Sequence, residues 1–307
     1  MDIGIQLLEF GERKEMRNAE IIAGILLFCS AACLTSCRHS SGLQDAEKVV
    51  KAGPAIVPQG RDSFRWPEGI RAAISLTFDD ARLSQVDRGL AILDAHSTKA
   101  TFYVVPNGVE QRLAGWKKAV VNGHEIGNHT LKHPCSGNFS WSRQKALENY
   151  TLAEMGRELD EANAAIERLL GVKPTTFAYP CGQKFVGRGP AVRSYVPLIA
   201  ERFIVGRGAF DEIANDPAFC DLAQATGISL DGLYFEQAKQ LIDKAAAEGR
   251  WLIFFGHEIG PPAHQTTVAS TLEALCEYAQ DPANELWIDT VDTIGKYIRD
   301  QRKGAKQ

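Results

Sequence analysis

The sequence predicts an α/β fold, a (β/α) barrel of about seven parallel strands in a single domain. Short apolar runs alternate with segments of helical periodicity between residues 68 and 301. Seven such runs fit within roughly 235 residues, close to the usual size of a barrel of this class. Several runs also end in polar side chains, and the carboxyl ends of barrel strands are where active sites lie. The sequence therefore indicates both the fold and the face that carries function.

The strand-like runs are short and almost wholly apolar, as expected for parallel strands buried on both faces. In chain order they read AAISLTF, KATFYVV, HEIGN, TTFAYP, RFIVG, WLIFFGH and LWIDT. Between them lie helical patterns, the longest an amphipathic helix from about Tyr150 to Leu170. This alternation is typical of a parallel sheet covered by helices.

Residues 1–37 have the features of an export signal. The apolar run from Ile21 to Cys33 follows basic residues and is shorter than the roughly 20 residues of a membrane-spanning helix. Its ending, LTSC, resembles the lipobox of bacterial lipoproteins, which implies cleavage before Cys37 and lipid attachment to it. The alternative is a plain secretory signal cut nearby. We expect an exported lipoprotein on the periplasmic side or cell surface, with residues 38–67 as a tether and lead-in.

The composition excludes nucleic acid as a partner and leaves the pairing of the cysteines open. The 307 residues have a formal net charge of −4 and no long run of Lys or Arg, so the sequence has no basic cluster that could bind the phosphates of a nucleic acid. Beyond Cys37 the cysteines are Cys135, Cys181, Cys220 and Cys276, and an exported protein can pair them in three ways.

Five polar residues stand where the predicted strands end. Asp79 and Asp80 follow the first strand, and adjacent residues of an extended segment point to opposite sides, so each can serve a separate task. His129 and His133 are four residues apart, which on a helical turn would bring both onto one face and suit a metal. His257 follows the apolar strand WLIFFG and could donate a proton. Taken singly, each motif also has a structural interpretation. The two aspartates could cap a helix, the histidine pair could lie on the surface, and His257 could bond a backbone carbonyl.

These motifs together resemble those of the polysaccharide deacetylases, carbohydrate esterase family 4, also known as the NodB-homology domain. TFDD, H-T-x-x-H and the strand-terminal histidine occur in the same order across roughly residues 68–300. The resemblance implies a distorted seven-stranded barrel that holds a divalent metal. It also implies removal of N- or O-acetyl groups from a carbohydrate by attack of metal-bound water.

The resemblance gives each of the five residues a role. Asp80, His129 and His133 would ligate the metal, Asp79 would be the general base, and His257 the general acid. Two histidines and a carboxylate make Zn²⁺ the default metal, with Co²⁺, Ni²⁺ and Mn²⁺ as alternatives.

The third family motif departs from its usual pattern. FAYPCG has Ala178 where the family usually carries an arginine that orients the base. Arg207, just past the next strand, is a candidate replacement, although a purely structural role fits it as well. The acid that tunes His257 stays open among Asp211, Asp216 and Asp231.

The same motif supplies candidates for substrate contact. The resemblance places the backbone amide of Cys181 as an oxyanion donor. Separately, the aromatic residues Trp141, Tyr179 and Tyr195 could stack on the sugar rings of a substrate, although core packing is the more common role of such side chains. Because Cys135 and Cys181 follow two motifs that converge on the metal, we hypothesise a disulfide between them.

The expected substrate is an acetylated polysaccharide or oligosaccharide, with membrane contact only through a lipid anchor at Cys37. Two alternatives stay open. One is a non-catalytic glycan-binding lipoprotein on the same barrel, and the other is an amidohydrolase that acts on a small non-peptide amide.

Overall fold

A computed structural model describes residues 64–304. The predicted export signal, its lipidation site Cys37 and the tether up to residue 63 lie outside the described residues. Within the described part of the chain, none of the helices is both long and apolar enough to cross a membrane.

Strands and helices alternate through most of the domain. The strands are β1 (Ala72–Asp79), β2 (Thr101–Val104), β3 (Glu125–Asn128), β4 (Thr176–Ala178), β5 (Phe185–Val186), β6 (Arg193–Ser194), β7 (Val205–Arg207), β8 (Ile228–Ser229), β9 (Trp251–Gly256), β10 (Glu258–Gly260), β11 (Thr266–Val268) and β12 (Leu286–Ile288). The α-helices are α1 (Leu90–Ala95), α2 (Pro106–Glu110), α3 (Leu113–Val121), α4 (Leu152–Leu170), α5 (Val196–Arg202), α6 (Phe235–Glu248), α7 (Ala269–Gln280) and α8 (Val291–Gly304).

One parallel sheet forms the centre of the fold, in the order β7-β4-β3-β2-β1-β9-β8, with β12 also paired to β1. All seven predicted strands are in this sheet, as β1, β2, β3, β4, β7, β9 and β12. The predicted α/β barrel architecture is thus confirmed, as a curled half-barrel. The additional strand β8 has only two residues and gives no sequence signal of its own.

Burial explains why these runs form strands. All eight residues of β1 are buried, because helices cover one face and the curled sheet encloses the other. Outside the sheet, α4 begins at a capping box between Thr151 and Glu154 and ends at Gly171 in the left-handed conformation. Its apolar side, including Met155, faces the domain, as the predicted amphipathic helix required.

The two edges of the sheet approach each other beside β7. Arg207 forms a parallel bridge with Ala225, and the N–H of Gly208 donates to the Ala225 carbonyl at 2.7 Å. The curvature directs the carboxyl ends of the strands towards one opening.

The end of the predicted tether packs on the domain. Trp66 stacks on Tyr297 of α8, and its indole N–H donates to the Gly249 carbonyl at 3.0 Å. Phe64 packs edge-on against Trp66, so the chain is already anchored before residue 68.

Candidate active site

The predicted site residues come together at the carboxyl ends of the strands. They line an open pocket of about 1040 Å³. Its walls include Asp79, Asp80, His129, His133, Tyr179, Cys181 and His257. Residues far apart in sequence meet there because parallel strands all end on the same side of the sheet.

Asp80, His129 and His133 form a compact three-ligand group. One ligand atom from each lies within 4.8 Å of the others. Asp80 Oδ1 is 3.5 Å from His129 Nε2 and 3.2 Å from His133 Nε2, so both rings face the same carboxylate oxygen. Two nitrogens and one oxygen around an open position suit a divalent metal.

The hydrogen bonds of the two rings fit metal binding. His129 Nδ1 lies 2.8 Å from the Ala178 carbonyl, and since a carbonyl only accepts, Nδ1 carries the proton. In the neutral ring, Nε2 then presents a lone pair towards Asp80. Such a carbonyl contact on the distal nitrogen is the usual way in which a metal-binding histidine is oriented. His133 Nδ1 lies 3.7 Å from Cys135 Sγ, and its Nε2 likewise faces Asp80.

The predicted helical turn across His129–His133 is wrong. These residues form a loop in which Thr130 (φ 65°) and His133 (φ 53°) are left-handed. Asn128 Oδ1 accepts from the Thr130 N–H at 2.6 Å, and Thr130 Oγ1 accepts from the His133 N–H at 2.9 Å. Side-chain hydrogen bonds replace those of a helix, and they bring the ring centroids to 4.8 Å.

Asp80 is held at both ends of its carboxylate. Its backbone is left-handed (φ 76°), a conformation that Asp tolerates better than most residues. Oδ2 accepts from Arg82 Nε at 3.1 Å and Nη2 at 2.9 Å, which leaves Oδ1 to the histidines. Although burial raises the pKa of Asp80, its hydrogen bonds and charge interactions with His129 and His133 outweigh burial and hold that pKa well below its usual range.

Asp79 is paired with Arg207 in the buried interior. Arg207 Nη2 donates to Asp79 Oδ1, and Nη1 donates to the Gly208 carbonyl at 2.8 Å. The guanidinium lies between the rings of Tyr103 and Phe255, 5.1 and 5.2 Å from their centroids. Arg207 is the strand partner of Ala178, the position where the family arginine is missing. A guanidinium from β7 therefore reaches the carboxylate that an arginine on β4 would otherwise face.

His257 is paired with Asp231, one of the three acids that the sequence left open. His257 Nδ1 lies 2.6 Å from Asp231 Oδ2, while Asp231 Oδ1 accepts from the His257 N–H at 3.1 Å and from Thr267 Oγ1 at 2.9 Å. Burial lowers the pKa of His257, but the hydrogen bond to Asp231 and the charges of Asp79, Asp231 and Asp80 outweigh it and raise that pKa above its ordinary value.

Cys135 and Cys181 form a disulfide, with 6.2 Å between their Cα atoms. It joins the loop after His133 to the turn after β4, where Cys181 has a φ of 54°. The sulfurs are thereby unavailable as thiolate ligands, although they lie beside His133.

The prediction that the Tyr179 ring contacts substrate is wrong. Tyr179 is 1% exposed, packs against Phe177 and Tyr195, and donates its hydroxyl to the Ala223 carbonyl at 2.7 Å. Tyr195 is fully buried as well. Of the three aromatic candidates, Trp141 is the one exposed at the pocket: it is 54% exposed, with its ring 5.8 Å from that of His133.

Sequence reasoning missed Gln85, which joins the two proton-transfer candidates. Its side chain is fully buried, and Nε2 donates to the carbonyls of Asp79 at 2.6 Å and His257 at 2.8 Å. The amide fixes the ends of β1 and β9 relative to each other. A glutamine at the start of a helix carries no sequence signal for such a role.

Comparisons with known proteins match the first half of this domain. Residues 67–186 match the family model described as polysaccharide deacetylase. The chain is 36% identical over 97 residues to the uncharacterized protein YlxY of Bacillus subtilis, covering 32% of this chain and 27% of the relative. It is 32% identical over 110 residues to the peptidoglycan-N-acetylglucosamine deacetylase PgdA of Listeria monocytogenes, covering 36% and 21%. The chain thus spans about a quarter of these relatives.

A solved structure matches over nearly the whole domain. A Mycobacterium smegmatis protein assigned as a polysaccharide deacetylase superposes with a TM-score of 0.56 at 19% identity. The match covers 78% of this chain and 94% of that protein. At this identity the likeness concerns the fold.

Proposed function

Residues 67–186 belong to the polysaccharide deacetylase family, and from this premise we propose that the protein is a metal-dependent hydrolase that removes acetyl groups from an extracytoplasmic carbohydrate. The observation that carries the proposal is the placement of Asp80, His129 and His133 in the same pocket as Asp79 and His257. Three ligands, a buried carboxylate and a protonatable imidazole are the groups that amide or ester hydrolysis needs.

Asp80, His129 and His133 would hold the metal, with Zn²⁺ as the default choice for this ligand set. A divalent cation bound there lowers the pKa of a bound water and polarises the acetyl carbonyl. Asp79 takes the proton of the attacking water. Arg207 orients Asp79 for this step, because its guanidinium binds Oδ1 and leaves Oδ2 for the proton.

His257 supplies the proton that the leaving nitrogen or oxygen requires. Asp231 holds Nδ1, so Nε2 is the atom that faces outwards to donate. The turn at Cys181, tied by its disulfide to the loop of His133, offers its backbone N–H to the tetrahedral oxyanion.

The openness of the pocket favours a polymer over a small amide. Trp141 and Phe139 stack at 5.4 Å between ring centroids and are half exposed at its rim, where they can cover the apolar face of a sugar ring. The proposal also takes residues 1–37 as a lipoprotein signal with Cys37 as the lipid anchor, residues 38–67 as the tether and lead-in, and residues 68–301 as the catalytic domain. Such an exported lipoprotein would act outside the cytoplasm.

Acetate release tests the proposal. N-acetylated and O-acetylated glycans, assayed for released acetate, and a small cyclic amide, assayed for ring opening, are each incubated with Zn²⁺-loaded protein, with chelated protein, and with the Asp79→Asn variant. We expect acetate from at least one glycan, abolished by chelation, restored by Zn²⁺ and reduced at least about 100-fold by Asp79→Asn. Acetate release that survives both treatments would overturn the mechanism, and turnover of the small amide alone would overturn the substrate class.

A further inference from the structure

A second groove, of about 640 Å³, opens beside the catalytic pocket. It lies between α2, the loop that carries His133 and α4. The two cavities share part of their lining: Asn107, Leu131, Lys132, Trp141 and Lys145. A polymer bound over the active site can therefore continue into this groove without leaving the surface.

The groove is basic, and one of its cations, Arg168, has no partner within the described residues. Lys132, Lys145 and Arg168 line it, against one carboxylate, Glu110. Lys145 Nζ donates to the Lys132 carbonyl. Within residues 64–304, the Arg168 guanidinium has no hydrogen bond or ion pair, whereas the Lys132 ammonium has a charge interaction with the carboxylate of Glu158. By contrast, Arg202 on the neighbouring α5 binds Asp160 at 2.8 Å.

Trp141 lies at the boundary between the groove and the catalytic pocket. Lys145 Nζ is 5.5 Å from its ring centroid, and the ring is also a neighbour of His133. A sugar ring on Trp141 would thus have the three-ligand group on one side and the basic side chains of the groove on the other.

We propose that this basic groove binds a carboxylate carried by the glycan, so that the enzyme prefers acidic to neutral acetylated glycans. The inference rests on the proposed function and names the substrate class of the same site. The carboxylate can come from a uronic acid in the chain or from a peptide attached to it.

The test compares three N-acetylated oligosaccharides of equal length: a neutral one, one with uronic acid and one with an acidic peptide. Calorimetric binding and acetate release are measured for wild type, Arg168→Gln and Arg168→Glu. Arg157→Gln is the control, because Arg157 is exposed on the same helix but does not line the groove. We expect affinity for a carboxylated oligosaccharide to fall about threefold for each unit of positive charge removed at position 168 and to weaken with salt, as for exposed ion pairs. The neutral oligosaccharide and the control should change less than twofold.

The outcomes separate the two proposals. Dependence on only the uronic acid or only the peptide identifies the source of the carboxylate. Equal losses of affinity for neutral and carboxylated oligosaccharides, or no loss for either, would overturn the proposal that the groove binds a carboxylate. Carboxylate-dependent binding without acetate release from any glycan would overturn the proposed hydrolase activity but would support the proposal that the groove binds a carboxylate.

A different observation concerns Glu158 of α4, beneath the loop of the metal ligands. Glu158 is 4% exposed, and its carboxylate accepts from the Lys132 N–H at 2.5 Å and from the N–H of Leu131. The Tyr150 hydroxyl also contacts it. Both amides belong to residues between His129 and His133, where the left-handed backbone leaves the N–H groups without helical partners.

We infer that Glu158 is a positioning residue that keeps His133 in place for the metal. A buried carboxylate that accepts two backbone amides fixes the path of a loop as short as this one. Loss of the contact would let His133 swing away from Asp80, while the core of the domain stays intact.

The test is the Zn²⁺ affinity of Glu158→Gln, measured by competition with a chromophoric chelator. Glu161→Gln is the matched control, since Glu161 is exposed on the same helix. We expect about tenfold weaker binding for Glu158→Gln, the size usual for partners that orient metal ligands, and no change for the control. Circular dichroism of the metal-free proteins verifies that both fold, and Glu158→Asp replaces Glu158→Gln if the latter does not. Wild-type affinity in the folded variant would overturn the assignment.

Discussion

Two histidine–aspartate groups face the same pocket and are built differently. Around Asp80, two imidazoles share one carboxylate oxygen, and the distal nitrogen of His129 contacts a carbonyl. Around Asp231, a single imidazole, His257, has its Nδ1 on the carboxylate and its other nitrogen directed away from it.

The comparison indicates that the partner of Nδ1 determines whether the imidazole is suited to ligate a metal or to donate a proton. A carbonyl on Nδ1 leaves Nε2 as a lone pair, which suits a metal. A carboxylate on Nδ1 favours the charged imidazolium, so Nε2 keeps a proton to donate. In the function we propose, the same two residue types serve as ligand set and as acid in one pocket.

The largest expected effect comes from removing one histidine of each group. His129→Ala and His257→Ala should each lower kcat for acetate release by about 10²–10⁴-fold, one through the metal and the other through the proton. Only His129→Ala should regain activity as Zn²⁺ is raised. Recovery of His257→Ala with added Zn²⁺ would break the distinction.

Asp231→Asn sharpens the comparison through pH. The contact with Asp231 contributes to the raised pKa of His257, and an acid works only while it is protonated, so activity is present below that pKa and is lost as pH rises through it. The variant lowers the pKa of His257, which moves the basic limb of the kcat profile to lower pH. A profile with an unchanged basic limb would argue against His257 as the acid.

Arg207→Lys tests the buried base partner. Lysine keeps the charge but loses the planar contact with Asp79 and the stacking between two rings. We expect about tenfold lower kcat with little change in KM. Arg202→Lys, at an exposed ion pair with Asp160, serves as control and should leave both constants unchanged.

The smallest effect on activity is expected from the disulfide. Cys135→Ser/Cys181→Ser removes a link between residues 46 apart, which the chain-entropy model values at up to about 4 kcal/mol of unfolding free energy. Denaturant unfolding measures this loss. Cys220→Ser is the control, because Cys220 is not part of a disulfide. Because the loop of His133 keeps its other hydrogen bonds, kcat should fall less than about tenfold.

The sheet could be predicted because buried parallel strands are continuous apolar runs, and polar residues at their ends are conspicuous. β1 followed by Asp79 and Asp80 is the clearest case. β8 could not be predicted, since two residues are too few to show the hydrophobic pattern of a strand.

The finer geometry of the site depends on contacts that spacing does not encode. The i, i+4 spacing of His129 and His133 suggested a helix, whereas Asn128, Thr130 and Glu158 impose a loop. Likewise, Asp231 could not be chosen among three acids, because only the path of the chain after β8 brings it beneath His257.

Equilibrium titration with Zn²⁺ of His257→Ala and His129→Ala tests the separation of the two groups most directly. We predict that His257→Ala binds one Zn²⁺ with an affinity within about threefold of wild type, and that His129→Ala binds at least about 100-fold more weakly. Equal weakening in both variants, or weakening in His257→Ala alone, would contradict the account.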